Sequence, residues 1–215
     1  IVLLGTMGGL SWWPCSDRTS SSSAIVVNGS IYLIDVGQNS TFRLTQAFNT
    51  DNLVNSDGTY SNNPSSTFLK NLKAVFITHL HQDHLMDYPS LLIIGSGAGL
   101  AVDPKEPKDP PIPLPVFGPP DRGQLEANLA GYVGAPYTTD SADPARRTQT
   151  PGTRLMTDII FQAFAQANND LTRDDGYRDF TALVRVTEIG GTAPGDIALP
   201  PFAPGTWVDP NTTPC

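Results

Sequence analysis

The segment at 75–84, "VFITHLHQDH", restricts the fold of this chain more than any other feature. An apolar run at 75–77 predicts a buried strand. Four side chains able to bind a metal follow it within six positions: His79, His81, Asp83 and His84. They include all three histidines of the 215-residue chain. Because binding and catalytic residues concentrate in loops at strand ends, the cluster indicates a functional site at the end of a buried strand.

The chemistry of these side chains indicates a metal site. Neutral imidazoles and a carboxylate are ligands that zinc and similar divalent metals prefer, and a bound metal lowers the pKa of water to about 7. If the segment from Thr78 is extended, His79 and His81 project to one side and share one metal. Asp83 and His84 then turn toward a second metal. The alternative is a polar surface loop without a metal.

The remaining elements alternate along the chain and predict a mixed α/β domain. Strands are predicted at 1–4, 23–29, 31–37, 72–80, 114–120 and 181–189. Helices are predicted at 40–55, from Pro89 to the glycines at 95–99, at 121–134 and at 153–172. The proline-rich segment at 103–120 excludes a regular helix and is interpreted as an insertion.

Composition excludes two classes of function. The formal net charge is −8 and no run of Lys or Arg occurs, so a long nucleic acid is not an expected partner. No stretch reaches the roughly 18–20 continuous apolar residues that a membrane span needs, which predicts a soluble protein without a membrane partner. A hydrophobic content of 39% is adequate for the core of one large domain.

Cysteine and asparagine positions bear on the compartment. The two cysteines are Cys15 and Cys215, and they could form one disulfide bond between the two ends of the chain. Three N-glycosylation sequons begin at Asn28, Asn39 and Asn211. They favour a secreted or exported protein, with a cytoplasmic location as the alternative.

The segment "THLHQDH" at 78–84 resembles the H-x-H-x-D-H signature of the metallo-β-lactamase superfamily. Three weaker segments resemble its ribonuclease Z and arylsulfatase-like branches: "LLGTMGGL" at 3–10, "RTSSSSAIVVNGSIYLIDVG" at 18–37 and "LPVFGPP" at 114–120. The resemblance covers at least residues 1–120. It implies an αββα sandwich, with residues 1–215 forming the N-terminal portion of a single domain.

The resemblance also implies roles for the cluster. His79 and His81 would bind a first metal, usually zinc, and Asp83 and His84 a second. Asp83 would in addition be catalytic, steering the nucleophilic water or taking its proton.

Two further acidic residues could support the metal ligands. Asp35, in "LIDVG", resembles the family's acidic residue at a strand end, which orients a ligand without touching the metal. A strand-terminating turn is the alternative for Asp35. Asp87 could support the loop, or it could be the N-cap of the helix that follows.

One departure from the family pattern is clear. The family completes its sites with a histidine well downstream, a bridging aspartate and a further histidine, whereas this chain has no histidine after His84. The chain could be the N-terminal part of a longer protein, another chain could supply the ligands, or the protein could be a degenerate homologue. We favour the first, in which the sandwich is incomplete in this chain.

These expectations lead to two functional hypotheses. The first is a metal-dependent hydrolase, with one or two zinc ions and a metal-bound hydroxide, acting on small ester-like substrates of arylsulfatase, lactone or phosphodiester type. Its expected partners are a small-molecule substrate, the polypeptide that supplies the remaining His and Asp ligands, and a second copy in a homo-oligomer. The second hypothesis is a non-catalytic binding or structural module with an incomplete metal site.

Aromatic residues could shape a substrate pocket. Phe117, Phe161 and Phe164 could form a lid or pocket wall, with core packing as the alternative. Trp12 and Trp13 follow the Gly8-Gly9 turn and could line a pocket entrance or cover a sheet edge.

Overall fold

One six-stranded sheet organises the protein. The computed structural model describes residues 1–9, 12, 17–48, 68–101, 112–125, 137–139 and 147–199. The strands lie in the sheet in chain order: β1 Val2–Gly5, β2 Ser22–Val27, β3 Ser30–Ile34, β4 Leu72–Phe76, β5 Leu114–Gly118 and β6 Val184–Glu188. All six were predicted from the sequence, and the α/β class is confirmed.

The sheet is mixed. The first three strands are antiparallel, and β2 and β3 are joined by a tight turn at Asn28 and Gly29. Both turn residues have positive φ, of 50° and 78°, which is what the type I′ turn of a two-residue hairpin requires. From β3 to β6 every pairing is parallel, so the carboxyl ends of these four strands meet at one edge.

Strand register sorts the side chains into two faces. One row crosses the whole sheet and points toward the helices: Val2, Ala24, Leu33, Val75, Val116 and Val186. Its four central members are at most 1% exposed. The adjacent row, one residue along each strand, points to the opposite face: Leu3, Ser23, Ile34, Phe76, Phe117 and Thr187.

Helices cover the first face. They are α1 Ser40–Phe48, α2 Tyr88–Ile94, α3 Thr153–Ala163 and α4 Ala165–Asp175. Leu44 of α1, Leu91 and Leu92 of α2 and Phe161 of α3 belong to the buried cluster that packs on the sheet. The Tyr88 and Thr157 hydroxyls, 2.9 Å apart, join α2 to α3 inside this layer.

The second face is apolar and largely open in the described part of the chain. Leu3 is 68% exposed and Phe76 38% exposed, and the Phe76 ring stacks on Phe117 with centroids 5.1 Å apart. The described residues thus supply one sheet and one helical layer of the predicted αββα sandwich.

Several predicted helices differ from those observed. The helix predicted at 153–172 is two helices that meet at Phe164, where the backbone leaves helical geometry. Residues 121–125, predicted to begin a helix, are not helical, and 126–134 lie outside the described residues. The helix predicted at 40–55 ends at Phe48 within the described residues. Thr181 and Ala182, predicted as strand, belong to a 3₁₀ turn, Phe180–Ala182.

Of the three phenylalanines that could have formed a lid, Phe161 is in the core and Phe164 is exposed. Both cysteines and Trp13 lie outside the described residues, so a Cys15–Cys215 bond stays a prediction. No helix within the described ranges combines the length and the apolar character needed to cross a membrane.

Candidate metal centre

The candidate site lies where β3 and β4 end. Asp35 directly follows β3, and its backbone N–H donates to the Phe76 carbonyl at 2.8 Å, at the end of β4. Two residues beyond Phe76 lies Thr78, the first residue of the histidine segment at 78–84. Because parallel strands end at the same edge of a sheet, this pairing brings a carboxylate and the histidines together although they are far apart in sequence.

Asp35 is the buried carboxylate of the site. It is 4% exposed and has φ of 59°, in the left-handed region that aspartate tolerates better than most residues. Its carboxylate accepts the Thr78 backbone N–H at 2.8 Å and the Thr78 hydroxyl at 2.9 Å. Its Oδ2 also lies 2.7 Å from His84 Nδ1. The contact has the geometry by which a carboxylate orients a metal-binding histidine.

The His79 ring contacts the rings of both other histidines. The His79 ring centroid lies 4.0 Å from that of His84 and 4.7 Å from that of His81. The segment is extended only as far as His81, because Gln82–His84 form a 3₁₀ turn. This turn returns His84 to the His79 ring, so the continuous extended loop of the sequence interpretation is corrected. Which histidine would bind which metal stays a prediction.

Asp83 connects the histidines to the loop after β1. Its Oδ2 accepts the Gly9 backbone N–H at 2.7 Å and lies 3.4 Å from His84 Nε2. The hydrogen bond from Gly9 holds the pKa of the Asp83 carboxyl below its usual range, against the opposing effect of desolvation. Asp83 is therefore a carboxylate at neutral pH, able to accept hydrogen bonds and to bind a cation.

Gly37 lets the strand end pass close beneath the motif. A Cβ at this position would overlap the Asp83 carbonyl oxygen and the Ser20 side chain. The neighbouring Val36 backbone N–H donates to the His84 carbonyl at 2.7 Å. The glycine of "DVG" is thus required by close packing of two backbone segments.

Asp87 has a different role from the N-cap suggested by its position. It precedes α2, but its side chain makes no capping hydrogen bond to that helix. Its Oδ2 instead accepts the backbone N–H of Thr41 at 3.0 Å and the Thr41 hydroxyl at 2.7 Å, in the first turn of α1. Asp87 therefore ties the motif loop to the start of α1.

A small cavity lies beside Asp83. It has a volume of about 260 Å³ and is lined by Gly9, Trp12, Ser20, Gln38, Gln82, Asp83 and Met86. Of the two interpretations of Trp12, the pocket-lining position is the observed one. No Lys or Arg is among the described residues that line the cavity.

Sequence reasoning missed two residues of the site. The sequence pattern identifies Thr78 only as the start of the segment and Gly9 only as a turn residue, although each donates a hydrogen bond to a carboxylate of the site. The position of Thr78 immediately before the first histidine was the available signal. The partner of Gly9 lies 74 residues away and gave no local signal.

The residues fit zinc in the chemistry of their donors. Three imidazoles and one carboxylate lie within six consecutive positions that follow one strand end, and a buried carboxylate orients one of the imidazoles. Within the ranges that the structure describes, no three His, Cys, Asp or Glu side chains are arranged so that they could hold a metal ion. The described donors alone therefore do not form a closed metal site.

Comparison with known proteins gives sequence relatives. No protein-family model matches the chain. Ribonuclease Z of Mycobacterium bovis (strain BCG / Pasteur 1173P2) is 29% identical over 133 residues, which are 61% of this chain and 38% of that protein. Ribonuclease Z of Clostridium tetani is 31% identical over 137 residues, which are 64% of this chain and 33% of that protein. The chain thus spans well under half the length of these relatives.

Two solved structures are also similar. Human tRNase Z, short form, matches with a TM-score of 0.44 and 17% identity, covering 87% of this chain and 43% of that one. The metallo-β-lactamase fold protein YhfI from Bacillus subtilis matches with a TM-score of 0.36 and 20% identity, covering 55% and 37%. The sequence matches make this chain a distant homologue of ribonuclease Z over part of that protein's length, which confirms the predicted relationship to metallo-β-lactamase fold proteins.

Proposed function

We propose that this chain carries the histidine-rich half of the zinc site of a hydrolase that acts on small ester-like substrates. The observation that supports this most directly is the packing of three imidazole rings at one strand end, above a buried carboxylate that orients one of them. A surface loop that is merely polar has no need of a buried Asp35 beneath it, since burying a carboxylate is costly unless it is well hydrogen-bonded.

His79, His81, Asp83 and His84 would contribute to the metal site once further ligands complete it, because the described donors alone do not form a closed site. Zinc, when bound, supplies a Lewis acid and a water of lowered pKa. Asp35 holds His84 with Nδ1 toward its carboxylate, which leaves Nε2 directed to the site. Asp83 is ionised and lies beside both the histidines and the cavity, and it would orient an attacking water or accept its proton.

The cavity supports a small substrate. A volume of about 260 Å³ lies near the lower end of small-ligand pockets. Trp12 and Met86 offer apolar contacts, while Gln38 and Gln82 offer amides. The formal net charge of −8 disfavours an RNA substrate, although the relatives are named ribonuclease Z.

The remaining ligands would come from outside the described residues. We propose that a downstream segment of the same polypeptide or a second chain supplies the further His and Asp ligands. The site would then lie between the histidine segment and that second element, on the edge where the parallel strands end.

The test combines metal binding with hydrolysis. We would measure zinc bound after equilibrium dialysis, and turnover of 4-nitrophenyl sulfate, a γ-lactone and bis(4-nitrophenyl) phosphate. The double variant His79→Ala/His81→Ala is expected to lose zinc binding and all turnover together. Asp170→Asn, an exposed carboxylate on α4, is the matched control and should retain both. Unchanged hydrolysis in the double variant would exclude the proposed site.

The non-catalytic module is the second candidate. It is favoured by the lack of any closed arrangement of three donors among the described residues. It predicts that the unaltered protein hydrolyses none of the three esters and that the double variant loses stability only. No turnover by the unaltered protein, together with no loss of zinc binding in the double variant, would support this candidate over the hydrolase.

A further inference from the structure

The Thr78 hydroxyl lies between the buried carboxylate and the first histidine of the motif. Its oxygen is 2.9 Å from Asp35 Oδ2 and 3.1 Å from His79 Nδ1. The backbone N–H of the same residue donates to Asp35 Oδ1 at 2.8 Å, which fixes the position of the side chain. A second histidine, His84, contacts the same carboxylate directly.

Counting protons determines the direction of each hydrogen bond. A carboxylate only accepts, so the Thr78 hydroxyl must donate its single proton to Asp35. The hydroxyl oxygen can then only accept from His79. The hydrogen bond at 3.1 Å therefore requires a proton on His79 Nδ1, and in the neutral imidazole Nε2 is left with a free lone pair.

We propose that Thr78 is a positioning residue that holds His79 in its Nδ1–H tautomer. One buried carboxylate thus sets the tautomers of two histidines, that of His84 directly and that of His79 through the threonine hydroxyl. Histidine in water favours the opposite tautomer, with the proton on Nε2, which cannot bind a metal through Nε2 until that proton leaves. Thr78 therefore holds His79 in the tautomer that can bind a metal through Nε2 before any metal is present.

The tautomer does not depend on the proposed hydrolase function, which enters only where zinc is concerned. It belongs to the metal-free protein and is read directly from the ring nitrogens. Long-range ¹H–¹⁵N correlation spectra distinguish protonated from unprotonated imidazole nitrogens. We would record them on metal-free protein at about pH 8.5, where histidine of ordinary pKa is neutral.

Two variants isolate the hydroxyl. Thr78→Val keeps the side-chain shape and the backbone N–H but removes the hydroxyl, and Thr78 is an exposed residue, so little packing is lost. Thr78→Ser keeps the hydroxyl and serves as the rescue. Thr78→Val should be less stable than the other two proteins because it loses the hydroxyl hydrogen bond to Asp35, so a common fold is checked by superimposable backbone ¹H–¹⁵N spectra outside residues 35 and 78–84.

The expected spectra are specific. His79 carries its proton on Nδ1 in the unaltered protein and in Thr78→Ser, and shifts toward the Nε2–H form in Thr78→Val, whereas His84 stays unchanged. Zinc affinity of Thr78→Val should fall about 10–100-fold, the usual effect of losing a partner of a metal ligand. A His79 proton on Nε2 in the unaltered protein, or an unchanged His79 in Thr78→Val, would refute the inference. The expected tautomers without zinc binding in any variant would keep the inference and refute the proposed zinc site.

Discussion

Replacing Asp35 by asparagine tests whether the buried carboxylate organises the site. Asparagine has nearly the same shape and tolerates the left-handed φ of 59° at this position. Its carbonyl oxygen can still accept the Thr78 backbone N–H. Its NH₂ group, however, replaces the oxygen that lies 2.7 Å from His84 Nδ1 and cannot accept a proton from it.

The magnitude follows from these contacts. A hydrogen bond to a charged group contributes about 1.5–3 kcal/mol, and water cannot replace it because Asp35 is 4% exposed. Asp35→Asn should therefore lower the free energy of unfolding by about 1.5–3 kcal/mol. Asp35→Ala leaves every donor without its acceptor and adds about 1–2 kcal/mol for alanine in left-handed geometry, for a total of about 3–5 kcal/mol.

Urea unfolding of metal-free protein, followed by circular dichroism, measures these differences. Asp170→Asn makes the same chemical change at an exposed position on α4 and should alter stability by less than about 0.5 kcal/mol. Zinc affinity of Asp35→Asn should fall about 10–100-fold, because His84 loses the group that sets its tautomer. A stability and zinc affinity equal to those of the control would refute the role assigned to Asp35.

Three other changes probe the structure around the site. Gly37→Ala should lower the free energy of unfolding by about 1–3 kcal/mol and weaken zinc binding, because the added Cβ overlaps the motif backbone; normal zinc affinity would contradict the close packing. Tyr88→Phe should cost about 1 kcal/mol in urea unfolding, since it removes the buried hydrogen bond to Thr157, and should leave zinc affinity unchanged. The hydrogen bond from the Arg154 guanidinium lowers the pKa of the Asp196 carboxyl. The ionised form of Asp196 therefore stabilises the folded protein fully above the ordinary aspartate pKa of 3.8, and this stabilisation is lost as the pH falls through the lowered pKa. Asp196→Asn should therefore be less stable near neutral pH and lose less stability on acidification, and equal slopes of stability against pH below 4 would argue against this pair.

Local patterns were sufficient to predict the strands and the position of the site. Val75 and its apolar neighbours identify a buried strand, and the polar motif that follows could lie only at the end of that strand. The relationship of Asp35 to the histidines was inferred from resemblance, because nothing in residues 31–37 points to a partner 49 residues later. The structure supplies that contact through the parallel pairing of β3 with β4.

Other features depend on packing that local patterns do not contain. The apolar spacing in 153–172 continues through Phe164, yet the helix breaks there, where the chain leaves the core and α4 becomes polar. Asp87 has the sequence context of an N-cap for the next helix, but it caps α1, which lies 46 residues earlier at Thr41. For Asp87, a tertiary contact overrode the local preference.

The hydrogen bonds that orient the motif also bear on how the protein folds. They join residues 74 positions apart between Gly9 and Asp83, and 49 apart between Asp35 and His84. Contacts of such separation form late, because the entropy of closing long loops must be overcome first. The four donor side chains are adjacent in sequence, but they acquire fixed directions only when β1, β3 and β4 have assembled. A peptide spanning 75–92 would contain all four donor side chains but not their fixed directions. The affinity of this segment for a metal would therefore increase only when the tertiary structure is complete.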